Sequence, residues 1–372
     1  MRAYLLMIVI TAVVTFIATH FVIRYTLKHK IYPEIRSRDS HSTPTPRLGG
    51  LGMFTGFLVA MGVAASLGWF RSVFVQGGPI LGVLIAASIM AIMGAIDDVY
   101  DLDWTLKLAG QFIAAGILAW QGVQIVSLPI AGITIGSFGM SFVVSVFLTV
   151  LIMNAVNFID GLDGLVAGVV LIGTTTFFIY SYLLAQKTTP SDYFSLASLI
   201  SAIVMGMCLG FLPHNWRPAK IFMGDSGALL LGLLMTTSAL SVTGQLDPAF
   251  IAQSNLMPAF LPMILPLAIL VLPLLDFTLA VLRRLRAGKS PFAADRQHLH
   301  HRLQDFGHGH LGSVIVFYVW TTLISATCLL MFVASMEWAV GFGLVGLVFA
   351  VLYTAWPVFA KRLNKENQDA VR

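Results

Sequence analysis

An all-α, polytopic membrane bundle is the fold class this chain predicts, and three observations predict it. Of its 372 residues, 58% are hydrophobic and 10% are charged, with a mean hydropathy of +0.87, a balance foreign to soluble domains. The apolar residues fall in continuous runs close to the roughly 20 residues a helix needs to cross a bilayer. Polarity does not alternate along them, as it would in the strands of a membrane barrel.

About eleven spans follow, at residues 4–23, 48–70, 79–96, 106–121, 139–156, 164–184, 193–212, 227–243, 258–282, 312–333 and 339–358. The first lacks a signal-peptide cleavage pattern and is long enough to cross, so it reads as retained. It ends in a basic stretch, Arg24 to Lys30, and a polar loop closing with Pro44-Thr45-Pro46-Arg47-Leu48-Gly49-Gly50. The prolines stop any helix, and the paired glycines let the backbone approach a ligand or a neighbouring helix. The third span runs into Asp97-Asp98-Val99-Tyr100-Asp101-Leu102-Asp103, where Asp103 reads as the N-cap of the fourth and Asp101 as solvated. Residues 122–137 are β-branched and punctuated by glycine, which suits a short external hairpin. Span nine carries Pro258, Pro262, Pro266 and Pro273, so a bent or broken helix is expected. After Pro357 comes a short basic anchor. No repeat or linker divides the chain, which reads as a single transmembrane domain over 1–372.

Orientation follows from the basic residues, because Lys and Arg in short loops stay on the cytoplasmic side. With the N-terminus outside and the C-terminus inside, only Arg2, Arg71 and Lys187 of the 22 lie outside. The pI of 9.3 therefore describes a face toward anionic lipid. No nucleic-acid motif accompanies it, and nucleic acid is not an expected partner. Most acids and five of the nine histidines fall in the same loops, so chemistry should face the cytoplasm. Cys208 and Cys328 lie in apolar runs far apart and read as buried thiols, neither a metal pair nor a disulfide.

Four segments of that face carry chemistry. Asn154-Ala155-Val156-Asn157-Phe158-Ile159-Asp160-Gly161-Leu162-Asp163-Gly164 sets two amides and two carboxylates between uncharged runs. Converging oxygens of that kind suit Mg²⁺, which keeps waters and shares itself with substrate phosphate. A helix cap at Asp160 or Asp163 is the plainer alternative. Asp97 and Asp98 repel each other at the membrane edge, which suggests a cation or a phosphate-linked proton to handle; Lys107 and Gln111 share one face of the next helix. In Arg217-Pro218-Ala219-Lys220-Ile221-Phe222-Met223-Gly224-Asp225-Ser226-Gly227, cations lead to an acid flanked by glycines. There Phe222 serves either to stack on a base or as a lipid-interface anchor. In His298-Leu299-His300-His301-Arg302, three histidines within four residues would suit zinc, but without a cysteine phosphate binding accounts better for the surrounding positive charge. His308 and His310 read as solvated loop residues.

Taken in order, these segments resemble the polyprenyl-phosphate N-acetylhexosamine-1-phosphate transferases, glycosyltransferase family 4, and the likeness spans nearly the whole chain. Its carriers are residues 44–50, Asp97-Asp98 with Lys107, residues 154–164, Phe222 to Gly227, and His298-Leu299-His300-His301. The spaced histidines are similar to the bacterial GlcNAc-1-phosphate branch, whereas the muramyl-pentapeptide branch has three in succession. The resemblance implies a bacterial inner-membrane enzyme whose polyprenyl phosphate attacks the β-phosphorus of UDP-GlcNAc and releases UMP. It implies Mg²⁺, with Mn²⁺ as a substitute, on Asp225 with Asn157 or Asp160. Lys107, His300, His301 and Arg302 would hold diphosphate and sugar, Phe222 and Asp163 the uridine, and Asp97 or Asp98 the lipid phosphate. Arg47, Asn154 and His298 join the implied substrate-binding set, and a homodimer is one implied assembly. Two readings compete: another UDP-N-acetylhexosamine donor such as the muramyl pentapeptide, and a secondary transporter of an anionic solute, since helix breaks and intramembrane acids also belong to transporters.

Overall fold

Helix 9 of the chain, α9 (Gly224–Thr243), is the post around which the other helices stand. In the computed structural model, which describes residues 1–32, 45–125, 137–188, 194–243, 268, 271–286, 288 and 299–370, α9 packs against α2 (Gly49–Ser66), α4 (Gly77–Tyr100), α6 (Phe138–Phe158) and α8 (Leu196–Asn215). Within its span of Gly224–Val242, 89% of residues are buried, which identifies the centre of the bundle. The first helix, α1 (Arg2–Lys28), packs on α2 and α8, and α5 (Trp104–Trp120) lies between α4 and α6. Helix α7 (Leu165–Thr188) joins α8 to the C-terminal pair, α12 (His310–Val333) and α13 (Met336–Ala370). Short pieces complete the order: α3 (Arg71–Val75), α10 (Val271–Arg286) and α11 (Leu299–Asp305).

The helices start where the sequence supplies caps. Ser137 accepts the Met140 N–H, Ser195 the Ser198 N–H, and Asp103 the Thr105 N–H, each satisfying a first-turn amide. Close packing of α1 uses small residues, as is usual where lipid gives no hydrophobic push between helices. Thr15 and Thr19 lie against Gly56 and Gly52 of α2, and Thr11 against Gly206 of α8, where any added Cβ would collide.

Nine helices among the described residues are long and apolar enough to cross a membrane. The predicted fourth span is present as α5, at 17 residues slightly shorter than those nine. Of the predicted ninth, the described part is chiefly α10; the rest, and most of the expected hairpin at 122–137, lie outside the described residues. No strand occurs among the described residues. The predicted second span is cut short: α2 stops at Ser66, and Gly68–Phe70 form one 3₁₀ turn after an extended Leu67. At the other end α13 runs on through Pro357 to Ala370, where a short tail was expected.

Candidate active site

Four connections between helices meet at one end of the bundle. The C-terminal turn of α4 brings Asp97 and Asp98, the first turn of α5 brings Lys107, and the α6–α7 turn brings Asn157 and Asp160. The N-terminus of α9 brings Asp225. The stretch before α2 is clasped to the stretch before α9 through the backbone: Phe222 N–H donates to Pro46 O at 2.8 Å, Gly49 N–H to Phe222 O at 3.1 Å, and Gly50 N–H to Met223 O at 3.0 Å. An added Cβ on Gly50 would strike the backbone of Ser226 and Gly227, so here the paired glycines serve approach to a neighbouring helix.

The two adjacent acids do different things. Asp98 turns its carboxylate onto the start of α9, accepting Asp225 N–H at 2.8 Å, Ser226 N–H at 3.2 Å and Ser226 Oγ–H at 2.8 Å. It caps that helix from outside, with the negative charge where the helix dipole favours it. Asp97, buried, accepts Leu102 N–H at 2.8 Å with one oxygen and pairs with Lys107 Nζ at 2.5 Å with the other. Lys107 also reaches Asp225 Oδ2 at 3.2 Å, and Asn157 Nδ2 donates to Asp225 Oδ1 at 2.8 Å. Gly224 makes this possible. Its φ of +70° is left-handed, and a side chain there would meet the Arg47 carbonyl and the Asp98 carboxylate.

These groups surround a cavity of about 950 Å³, lined by Arg47, Asp97, Asp98, Lys107, Asp160, Phe222 and Asp225 among the expected residues. Asp160 stands near Arg47 and the backbone of Gly224. Burial first, then the carboxylates of Asp225 and Asp98, push it up to about 7, while Arg47 and the backbone of Gly224 act the other way. Asn157 joins through its bond to Asp225.

Other expected residues stand elsewhere. Asn154 faces α5, donating to Gln111 Oε1 at 2.5 Å and to Val150 O at 2.8 Å, and does not line the cavity. Asp163 is buried behind the wall, where Oδ2 accepts Ala219 N–H at 3.2 Å. Arg302 is exposed on α11, away from the lining. His300 and His301 lie in the α11 backbone, their side chains outside the described residues together with all of His298.

Sequence reasoning missed Asn215 and Ser226. Asn215 is buried at the end of α8 and lines the cavity while accepting Gly164 N–H at 2.9 Å and donating to Ile221 O at 3.0 Å. A polar residue beside Pro213 at a helix end was the available signal. His308 and His310 are not solvated: buried His308 meets Thr354 O at 2.9 Å, and His310 Nε2 accepts the Asp163 N–H at 3.2 Å.

Five carboxylates line the cavity (Asp97, Asp98, Asp101, Asp160 and Asp225) against three cations (Lys30, Arg47 and Lys107), a formal excess of two negative charges when all five are ionised. Among the described residues no three His, Cys, Asp or Glu side chains form a ready-made metal cage. Carboxylate and amide oxygens with surplus negative charge, and no closed cage, fit Mg²⁺, which takes one or two carboxylates and completes its shell with water and substrate phosphate. They do not fit a structural zinc centre.

The model of the family described as glycosyl transferase family 4 matches residues 80–243. The chain is 38% identical over 322 residues to the decaprenyl-phosphate N-acetylglucosaminephosphotransferase of Mycobacterium leprae (strain TN), covering 84% of this chain and 80% of the relative. It is 29% identical over 298 residues to the undecaprenyl-phosphate alpha-N-acetylglucosaminyl 1-phosphate transferase of Yersinia pestis, covering 78% and 73%. Over 281 residues it is 26% identical to the protein of that same name from Escherichia coli (strain K12), covering 74% and 69%.

Proposed function

The chain belongs to glycosyl transferase family 4, and from that premise we propose that it transfers N-acetylglucosamine 1-phosphate from UDP-GlcNAc to a polyprenyl phosphate, giving polyprenyl-diphospho-GlcNAc and UMP. One observation carries the reading at the level of the site: acids and cations from four separate connections between helices converge on one cavity at one end of the membrane helices. A water-soluble nucleotide and a lipid headgroup can meet at such a place. A transporter would need its charges near the bilayer midplane.

In the reaction a lipid-phosphate oxygen forms a bond to the β-phosphorus of the donor, the bond from that phosphorus to the bridging oxygen breaks, and the oxygen departs with UMP. Phosphoryl transfer of this kind asks the protein for positioning and charge stabilisation more than covalent help. Asp225 would hold Mg²⁺ with Asn157 or Asp160 beside it, Mn²⁺ being a substitute; the ion when bound would supply charge neutralisation on the diphosphate. Lys107 is placed to turn from its two carboxylates to an incoming phosphate oxygen. Asp97 stands beside it and orients the lipid phosphate. Because the second pKa of a phosphate monoester is about 6, the acceptor is already a dianion near neutrality and needs no strong base. Phe222, on the lining, offers its ring to the uracil. The site opens to the cytoplasm, since the charge bias of the loops sets the N-terminus outside and the C-terminus inside.

The test is direct. Purified protein given UDP-GlcNAc, polyprenyl phosphate and Mg²⁺ should release UMP with formation of the lipid-linked sugar. A folded preparation that moves a nucleotide-linked solute across vesicles without releasing UMP would be a transporter instead.

A further inference from the structure

The wall of the cavity formed by Asp160, Gly161 and Leu162 is held from behind, and half of that hold comes from a helix with no described residue on the lining. The Asp163 N–H donates to His310 Nε2 at 3.2 Å, and Tyr318 Oη donates to the Gly164 carbonyl at 2.5 Å. Both residues belong to α12. From the other side Asn215 accepts the Gly164 N–H at 2.9 Å, and the Ala219 N–H donates to the Asp163 carboxylate at 3.2 Å. Tyr318 reaches its carbonyl only because residue 168 is glycine: a Cβ there would overlap the phenol ring. Gly164 itself is left-handed, with φ of +76°, so the turn needs outside partners to stay in one shape.

Four residues separate the start of α12 from the end of α11, whose backbone carries His300 and His301. The N-terminal part of α12 is thus tied both to the acid-bearing wall and to the histidine segment. We propose that His310 and Tyr318 are positioning residues for the nucleotide-sugar half of the site: clamping the Asp163–Gly164 main chain, they hold Asp160 to Leu162 in place beside Gly224 and Asp225, in register with α11. This rests on the proposed function, in which Asp160 stands with the ion at the donor diphosphate while Asp97 orients the lipid phosphate. Neither residue need touch substrate.

The experiment uses the full chain in lipid nanodiscs. Losing one hydrogen bond to a main-chain amide is worth about a factor of ten, so His310→Ala should raise KM for UDP-GlcNAc about tenfold. KM for polyprenyl phosphate should stay within about twofold, because that bond lies behind the donor wall alone. His310→Gln, whose amide oxygen can accept the same N–H, should recover most of the loss. Tyr318→Phe keeps the ring and drops the hydroxyl, and should give a smaller rise of the same kind. Hydrogen exchange on the peptide containing Asp163 and Gly164 should quicken in His310→Ala and not in His310→Gln, whatever the protein's activity. Unchanged exchange in His310→Ala overturns the clamp. Quickened exchange with both KM values unaltered, or altered equally, overturns its role in donor positioning. If wild-type protein releases no UMP, the proposed function fails and the exchange result still decides the clamp.

Discussion

Asp98→Asn should unsettle the protein far more than Asp97→Asn, although the two acids are neighbours and either could have been the lipid-phosphate residue. Asp98 accepts three hydrogen bonds, from Asp225 N–H, Ser226 N–H and Ser226 Oγ–H. Each bond to a charged acceptor contributes about 1.5–3 kcal/mol. An asparagine has one acceptor oxygen, so it can keep the Ser226 pair as weaker neutral bonds while its NH₂ confronts the Asp225 N–H. Losing one charged bond, weakening two and orphaning a donor comes to roughly 3 kcal/mol. At about 2 °C per kcal/mol for a large domain, melting should fall by about 6 °C. Asp97→Asn keeps its bond from Leu102 N–H and loses the pairing with Lys107, which is a quarter exposed and still has Asp225. Screening reduces that loss to about 1 kcal/mol. Thermal unfolding in one detergent, read beside UMP release, separates the two: both variants should lose most turnover, and only Asp98→Asn should melt early. An Asp98→Asn protein that melts with wild type, or an Asp97→Asn protein that melts earlier, would refute the assignment of Asp98 as the cap of α9.

Three further outcomes follow from the same geometry. Asp160 is raised to about 7 in the folded protein, so its stabilising contribution is whole below the unfolded value of about 4 and lost as pH rises through about 7; melting of metal-free wild type relative to Asp160→Asn should fall across that window, and a flat difference would dismiss the shift. Gly224→Ala forces a left-handed alanine, costing about 1–2 kcal/mol, and pushes on Asp98 and the Arg47 carbonyl; kcat should drop at least about tenfold, measured by UMP release. Chelation by EDTA should stop UMP release without unfolding, and Mg²⁺ added back should restore it; activity that survives exhaustive chelation would remove the metal from the mechanism.

The membrane bundle was legible because apolar runs of bilayer length leave a chain few alternatives, and the acids and cations were legible because charge is costly at that depth. Partnerships were not. Adjacent residues at a helix end point about 100° apart, so Asp97 turns to Lys107 while Asp98 turns to α9, and only the packing of α4 on α9 decides which does what. Asn154 and Asn157 share a face but stand one turn apart along α6, so the first meets Gln111 and the second Asp225. His310 looked like a loop residue because no local pattern could reveal an acceptor bond to an amide 147 positions away. Periodicity reports which face is buried and is silent on what lies against it.

Charge then limits how the cavity can work. Two negative charges in excess would repel a nucleotide diphosphate and a lipid phosphate alike. Lys107 cannot relieve this alone, since it is already shared by Asp97 and Asp225 and each new phosphate contact weakens one of those pairs. A single divalent cation would cancel the excess and free Lys107 for substrate, which is why we propose a metal-dependent site here rather than a fixed ion-pair network. Asp98 would then contribute without touching phosphate: by holding the first amides of α9, it sets the direction in which Asp225 presents its oxygens.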